Sequence, residues 1–473
     1  MLTTVVIVTF AGITLMVLAA IVLSARKAAR SQQRLDDSRA VKAPPPSLRP
    51  TVDPSICIGS AACVDACPEE VLAQVDGLPH IVEPGNCVGH GACREACPVS
   101  AIALRMGSAQ RGVDLPVLRR GYQSSVDGIY VAGELGGMGL IRNAFRQGLG
   151  AIDAIASSLP ERRRQGEVVD VLIVGAGPAG IACALQAAHR GLSYLVVEQW
   201  SVGGSVSHFP RRKVVMTETF DLPIVGQFGR REMVKEELVE QLTGALEAAG
   251  ADVLDGRRLS GISGKLGEFT ATVETAGGRE THRARSIVLC IGRRGTPRKL
   301  GVPGEDEYSH VVYMLRDAEQ YRRRRVMVVG GGDSAVEAAL QLSEVVGTHV
   351  CLSYRGDAFT RCKKANRERI QDAAKAKRVE VHLATNVTRI TPEVVELKGA
   401  VGRYSIPTDD VIVSIGAELP IPFLTSLGIA VEEKRGEELA RDDASERAKA
   451  LARASERLLR FASGRHPKTQ RQQ

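Results

Sequence analysis

No side chain between Met1 and Ala25 carries a charge, and residues 5–23 are almost wholly aliphatic. At about 1.5 Å of rise per residue, a helix over 1–25 outreaches the roughly 30 Å hydrocarbon core of a bilayer, so the pattern predicts a membrane-spanning helix there. Further along, the apolar runs are short. Residues 168–174, 194–197, 287–291, 326–329, 349–354 and 411–415 read as buried strands, with helical stretches after the first and fourth. Strand–helix–strand order predicts an α/β fold with parallel sheets. Residues 436–461 are rich in Ala, Glu and Arg with sparse leucines, which predicts a charged, solvated helix within a 435–473 tail. Attraction of that tail to an anionic leaflet is its alternative role.

The 473 residues, 44% apolar and 25% charged, exclude a disordered or fibrous chain and suggest roughly three domains. Aromatics are only 4%, too few for a wall of stacking platforms on single-stranded nucleic acid. The net charge of +8 resides at the ends: residues 26–42 and 435–473 supply +4 each, which leaves the middle neutral. No nucleic-acid partner is therefore expected. Arg26, Lys27, Arg30 and Arg34 follow the apolar run, so the positive-inside rule predicts a single-pass protein with its bulk in the cytoplasm. A cleaved signal peptide competes, although such a signal would carry its charge first and Leu23-Ser24-Ala25 is a poor cleavage site. Residues 26–50, with Pro44-Pro45-Pro46, read as a juxtamembrane linker, extended and stiff from residue 31.

Six of the ten cysteines crowd into an internal repeat. Cys57-Ile-Gly-Ser60-Ala-Ala-Cys63-Val-Asp-Ala-Cys67-Pro68 returns thirty residues later as Cys87-Val-Gly-His90-Gly-Ala-Cys93-Arg-Glu-Ala-Cys97-Pro98. This resembles the bacterial two-cluster ferredoxins, whose run is C-x₂-C-x₂-C-x₃-C-P and whose fourth Cys ligates the other cluster. The resemblance implies a small α+β ferredoxin-like domain over residues 51–107. Carried over crosswise, it groups Cys57, Cys63 and Cys97 with Ser60 at one cluster, and Cys87, Cys93 and Cys67 with His90 at the other. Ser60 and His90 stand where the family has cysteine, so each site would hold a 3Fe-4S cluster, or a 4Fe-4S cluster with a non-thiolate fourth ligand. A His90-ligated cluster would be the more oxidising. A zinc site of three cysteines and a histidine, three disulfides, and a ferredoxin fold that binds nothing are the alternatives. Retention of six of eight cysteines and both Cys-Pro pairs argues against decay.

From Val168 the chain reads Val-Val-Asp-Val-Leu-Ile-Val-Gly175-Ala-Gly177-Pro-Ala-Gly180, then a helical stretch, then Tyr194-Leu-Val-Val-Glu198. That is a dinucleotide unit. Its glycines let the backbone approach a pyrophosphate at a helix N-terminus, and Glu198 suits a ribose 2′-hydroxyl. A second unit, Arg325-Val-Met-Val-Val-Gly330-Gly-Gly332-Asp-Ser334, follows 155 residues after the first turn. Its next strand ends in Tyr354-Arg355 instead of an acid. Arg355 and Arg361, with Lys363 and Lys364 behind them, are candidates to grip a 2′-phosphate, which favours NADPH over NADH. A solvated helix start is the alternative.

With crossover strands ending at Gly292 and Gly416, residues 168–430 resemble the thioredoxin-reductase-like flavin disulfide oxidoreductases. Gly203-Gly204, residues 213–217 and Leu222-Pro223 resemble the bacillithiol-disulfide-reductase-like branch most. The resemblance implies FAD on residues 168–295, NAD(P)H on 296–415, and a return to the FAD domain over 416–434. Two features depart from the family. The family's Cys-x-x-Cys, or special Cys near the first glycine turn, is missing, with Ala179 in that turn, and Cys183, Cys290, Cys351 and Cys362 are scattered and read as small core residues. The family's closing segment also stands upstream, within residues 108–158, as Gly128-Ile-Tyr-Val-Ala-Gly133-Glu134, with Glu134 in place of Asp beside the flavin ribityl chain. An unrelated loop before a helix is the alternative.

The expected molecule thus has one transmembrane helix, a ferredoxin-like domain with two iron–sulfur clusters, and two Rossmann-like domains for FAD and NAD(P)H with a permuted FAD-closing segment. Its expected activity is membrane-anchored NAD(P)H oxidation, with electrons passing through FAD and the clusters to a redox partner protein or a quinone. A homodimer stays open. A disulfide reductase with a structural cysteine domain, and a redox sensor or electron-carrier subunit, are the rival functions.

Overall fold

The computed structural model describes residues 2–40 (side chains from residue 12 to 39), 48–89, 91–109, 112–159, 168–216, 219–293, 297–360 and 362–438. They form two compact units that divide between Val113 and Asp114, with residues 434–438 rejoining the first.

The first unit opens with helix α1, Leu2–Ala40. Gly12–Arg39 is long and apolar enough to cross a membrane, and Leu15, Met16 and Leu23 on it are exposed. The helix continues through residues 31–40, where composition predicted an extended spacer. Ala, Arg and Gln are strong helix formers, and this last part of the helix is docked. Leu35 is buried with Ala73, Val75 and Val82, and the Arg34 guanidinium donates to the Glu70 carbonyl at 2.8 Å. The prolines 44–46 lie outside the described residues.

Strand β1 (Leu48–Val52), helix α2 (Ala62–Asp65), strands β2 (Leu72–Val75) and β3 (Leu78–Ile81), helix α3 (Ala92–Ala96) and strand β4 (Ile102–Met106) complete this unit. β2 and β3 form an antiparallel hairpin, and β1 pairs antiparallel with β4. The thirty-residue repeat extends to the backbone. α2 corresponds to α3, β2 to β4 and β1 to β3, and the left-handed residues Gly59, Ala61 and Glu70 recur as Gly89, Gly91 and Ser100. Glu437–Glu438, expected to be helical, instead adds a third strand on β4. The remainder of the expected tail lies outside the described residues.

In the second unit, strand β5 (Ile129–Val131) and helix α4 (Ile141–Ser158) precede β6 (Val169–Val174), α5 (Pro178–His189), β7 (Tyr194–Val197), α6 (Lys235–Ala248), β8 (Val253–Leu254), β9 (Arg258–Lys265), β10 (Glu268–Thr275) and β11 (Gly278–Leu289). One sheet runs β8-β7-β6-β11-β10-β9, with β5 also on β11. β11 is long enough to serve two sheets' worth of pairing. Its first half pairs antiparallel with β10, and its last residues lie parallel between β6 and β5. Leu424 and Ile429 pack into the core with Ile129, Leu172 and Leu289, so the chain returns to this domain near its end.

A second parallel sheet follows, built from β12 (Val311–Val312), β13 (Arg325–Val329), β14 (His349–Tyr354), β15 (Val379–Leu383) and β19 (Asp410–Val413) in the order β12-β19-β13-β14-β15. Helices α7 (Asp333–Ser343) and α8 (Lys364–Lys375) accompany it, and β16 (Asn386–Ile390), β17 (Val394–Gly399) and β18 (Gly402–Pro407) form a separate antiparallel layer. The central strands β6 and β13 are largely apolar and buried, as strands covered on two faces require.

Candidate functional site

The repeated left-handed turns deliver the six cysteines of the first unit to two places. Cys57, Cys63 and Cys97 line an open cavity of about 290 Å³, together with Ser60. Cys67, Cys87 and Cys93 line a second of about 350 Å³. Each triad takes its last cysteine from the other run, the crosswise grouping that the repeat predicted. The main chain is matched too: the Val71 N–H donates to Cys67 Sγ at 3.4 Å, and the Ala101 N–H to Cys97 Sγ at 3.1 Å. Burial pushes the Cys63 and Cys87 thiols up and takes Cys93 up to about 12, with Cys97 adding to Cys63, and Cys67 and Cys87 adding to Cys93. Three clustered thiols ionise together only around a polycation, and soft thiolate donors fit an iron–sulfur cluster. His90 lies outside the described residues.

In the second unit the first glycine turn joins β6 to α5. Gly175 has φ +105°, and a Cβ on it would stand 2.5 Å from the Cys290 carbonyl oxygen; one on Gly180 would stand 1.8 Å from the Gly175 oxygen. Only bare backbone fits there, which leaves the N-terminus of α5 open to an anion. Gly177 caps that helix, and Gly204 lies against it while the Gly203 N–H donates to the Ala176 carbonyl at 2.9 Å. Glu198 is 6% exposed, and its carboxylate accepts from the Ala176 N–H at 2.6 Å and the Trp200 N–H at 2.8 Å. The acid thus ties the turn to the end of β7. Gly133 approaches Ala179 on α5, and its N–H donates to Gln147 Oε1 at 2.7 Å. Glu134 opens the short turn after it, half-buried under Gly139. All eight residues expected at the flavin therefore gather around one helix N-terminus.

The second turn repeats the device. Gly330 has φ +147°, and its Cβ would stand 2.3 Å from the Ser414 carbonyl oxygen. Gly332 caps α7 and Ser334 is exposed on its first turn. Arg355 is exposed just beyond β14. The Lys363 N–H donates to Asp333 Oδ1 at 2.8 Å, which brings the basic stretch to the head of α7. Arg361 lies outside the described residues.

Three features escaped the sequence. Gln147 holds Gly133 from one turn of α4, a role no motif marks. Tyr354 lays its ring over Gly331 and stacks on Phe359 at 5.6 Å. Cys183 and Cys290, read as scattered, are neighbours: their sulfurs are 3.8 Å apart in the core, and burial raises the Cys183 thiol well above its ordinary range. They sit at the crossing of α5 with the end of β11, so the strand order was the signal that would have paired them.

Comparison with known proteins agrees with this division. The family model for pyridine nucleotide-disulphide oxidoreductases matches residues 172–451, and that for a 4Fe-4S dicluster domain matches residues 49–98. The ferredoxin–NADP reductase of Ignicoccus hospitalis is 30% identical over 277 residues, which cover 58% of this chain and 85% of that protein. Ferredoxin–NADP reductase 2 of Listeria monocytogenes is 29% identical, covering 55% of this chain and 75% of its own length. Among solved structures, the bacillithiol disulfide reductase of Staphylococcus aureus shares the fold with a TM-score of 0.51 at 21% identity, over 58% of this chain and 85% of that one.

Proposed function

The chain belongs to the pyridine nucleotide-disulphide oxidoreductase family, as an FAD-dependent oxidoreductase joined to a 4Fe-4S dicluster domain, and from that premise we propose that it exchanges electrons between NAD(P)H and ferredoxin-type clusters of its own. The sorting of six cysteines into two crosswise triads is the observation that carries this. The relatives are named for ferredoxin as a substrate. Here a ferredoxin-type repeat lies on the same polypeptide and takes that role, with a further redox partner protein or a quinone beyond it.

Bound to these sites, FAD would supply the conversion between hydride and single-electron chemistry, and the clusters single-electron storage. The chain's own work is placement. The N–H groups at the head of α5 receive the pyrophosphate, Glu198 turns its remaining lone pairs to the ribose, and Glu134 accepts from the ribityl hydroxyls. Arg355 pairs with the 2′-phosphate of NADPH. The parallel pairing of β5 with β11 supports reading residues 108–158 as the permuted closing segment. It also makes the cluster repeat and the flavin-lining Gly133 near neighbours in sequence, since β4 ends at Met106. Helix α1, apolar and exposed over its first described turns, supports a membrane anchor, and Arg26, Lys27, Arg30 and Arg34 after the apolar run support placing the catalytic part in the cytoplasm.

A disulfide reductase of this family needs a reachable thiol pair or a cysteine at the first glycine turn, where this chain has Ala179. Cys183 and Cys290 are buried, and no Cys-x-x-Cys exists in the chain. Protein purified without oxygen should contain one flavin and about six to eight irons per chain, with matching acid-labile sulfide. Flavin without iron or sulfide would refute the proposal.

A further inference from the structure

Away from both the thiol triads and the nucleotide turns, a third set of donors converges on the edge of the second parallel sheet. We propose that Cys351, Glu380 and His382 bind a zinc ion there. In the parallel register of β14 and β15, Cys351 stands beside Glu380 and Ser353 beside His382. Register neighbours and alternate residues share a face, so the thiol, the carboxylate and the imidazole project together. Cys351 Sγ lies 3.6 Å from Glu380 Oε2, and His382 Nε2 lies 3.1 Å from Glu380 Oε1. One ligand atom from each residue falls within 4.8 Å of the other two.

The two contacts reach different oxygens of the one carboxylate, Oε2 toward the thiol and Oε1 toward the imidazole, and each spacing is close to that between two ligands of one metal. Tetrahedral zinc with Zn–S near 2.3 Å and Zn–N or Zn–O near 2.0 Å sets its sulfur and oxygen donors about 3.5 Å apart, and its nitrogen and oxygen donors about 3.3 Å apart. His382 is also oriented for the task. Its Nδ1 lies 3.2 Å from the Tyr404 hydroxyl on β18, while its Nε2 is buried with no hydrogen-bond partner. A zinc-bound histidine uses its two nitrogens in this way, one on the metal and one on a second partner. The Cys351 thiol donates to the same carboxylate and the Glu–His pair closes to 3.1 Å, yet Nε2 still makes no hydrogen bond, a gap that a metal between the three would fill. The Glu380 side chain is 67% exposed, so ions can enter and a water can take the fourth position. On binding, Zn²⁺ takes the Cys351 sulfur as thiolate and the thiol proton leaves to solvent. Zinc would then clip the edge strand β15 to β14 and, through Tyr404, to the antiparallel layer.

The test uses the full-length protein with its flavin and clusters in place, given one equivalent of Zn²⁺ and washed by dialysis. Zinc K-edge absorption is blind to iron and flavin. It should show one sulfur at about 2.3 Å and about three lighter scatterers near 2.0 Å. Cys351→Ser should abolish the sulfur shell and the retained zinc, and Tyr404→Phe should weaken binding about tenfold. Glu380→Gln changes only an exposed side chain and should also lower zinc retention, so the site remains testable if Cys351→Ser does not fold. Failure of the wild-type protein to retain zinc would overturn the proposal. So would equal retention by Glu380→Gln, or a shell of three or four sulfurs, which would place the zinc among the cluster cysteines.

Discussion

The two nucleotide turns are built by one device and finished differently. In each, a glycine with positive φ at the end of a buried strand lies against a carbonyl of the crossover strand, Gly175 against Cys290 and Gly330 against Ser414. In each, an Asp–Arg pair joins the other ends of the same two strands, with the charges exchanged. Asp170 on the glycine strand meets Arg285 on the crossover strand at 2.8 Å, whereas Arg325 on the glycine strand meets Asp409 beside the crossover strand at 2.5 Å. The contrast lies at the end of the second strand. Glu198 is buried and anchors two N–H groups, while Arg355 stands in solvent. On the proposed function, both turns accept a dinucleotide and the residue just past the second strand selects which one.

The largest effect should separate the two turns. Gly175→Val should yield protein without flavin, whereas Gly330→Val should keep its flavin and lose at least about a hundredfold in reduction rate by NADPH, the equivalent of about 2.7 kcal/mol. Flavin loss from both variants would mean that the turns are not independent sites. Next comes Glu198→Ala, which strands the Ala176 and Trp200 N–H groups at about 1–3 kcal/mol each. Flavin affinity measured by fluorescence should fall at least tenfold, and unchanged affinity would reduce Glu198 to a packing role. Arg355→Glu should lower the NADPH-to-NADH ratio of kcat/KM by roughly tenfold, about 1.4 kcal/mol, without changing flavin content. A constant ratio would remove Arg355 from the phosphate.

The smallest effect concerns the exchanged ion pairs. A hydrogen bond from the Arg325 guanidinium holds the Asp409 carboxyl down at about 2. Burial alone would raise Asp170, but hydrogen bonds from Ser193 and Arg285 outweigh it and hold it below the ordinary range. A carboxylate depressed on folding contributes stability that is present above its unfolded pKa, near 4, and lost as pH falls through the folded value. Asp409→Asn should therefore flatten the decline in melting temperature between about pH 4 and pH 2. An unaltered slope would show that solvent screens the pair.

Much of this comparison could be read from residue order alone. Strands, glycine turns and the thirty-residue repeat are local patterns with few competing conformations, so the two thiol triads could be assigned crosswise in advance. The features that escaped depend on partners distant in sequence. Helix α1 continues past residue 31 because Leu35 finds Ala73, Val75 and Val82. Glu198 faces its own glycine turn because Ala176 presents a free N–H group there. Cys183 and Cys290 meet only after β11 is laid beside β6. Cys351, Glu380 and His382 share a face only once β14 and β15 are in register.

On the proposed function, the flavin and the clusters of this one chain form a connected redox system fed by NAD(P)H. Anaerobic titration of the full-length protein with NADPH, followed by visible absorption and low-temperature EPR, tests it most directly. Flavin absorbance should fall together with the growth or decay of iron–sulfur signals, and those signals should be lost in Cys63→Ala and Cys93→Ala with flavin reduction intact. Flavin bleaching that leaves the cluster signals of the wild-type protein unmoved would contradict it.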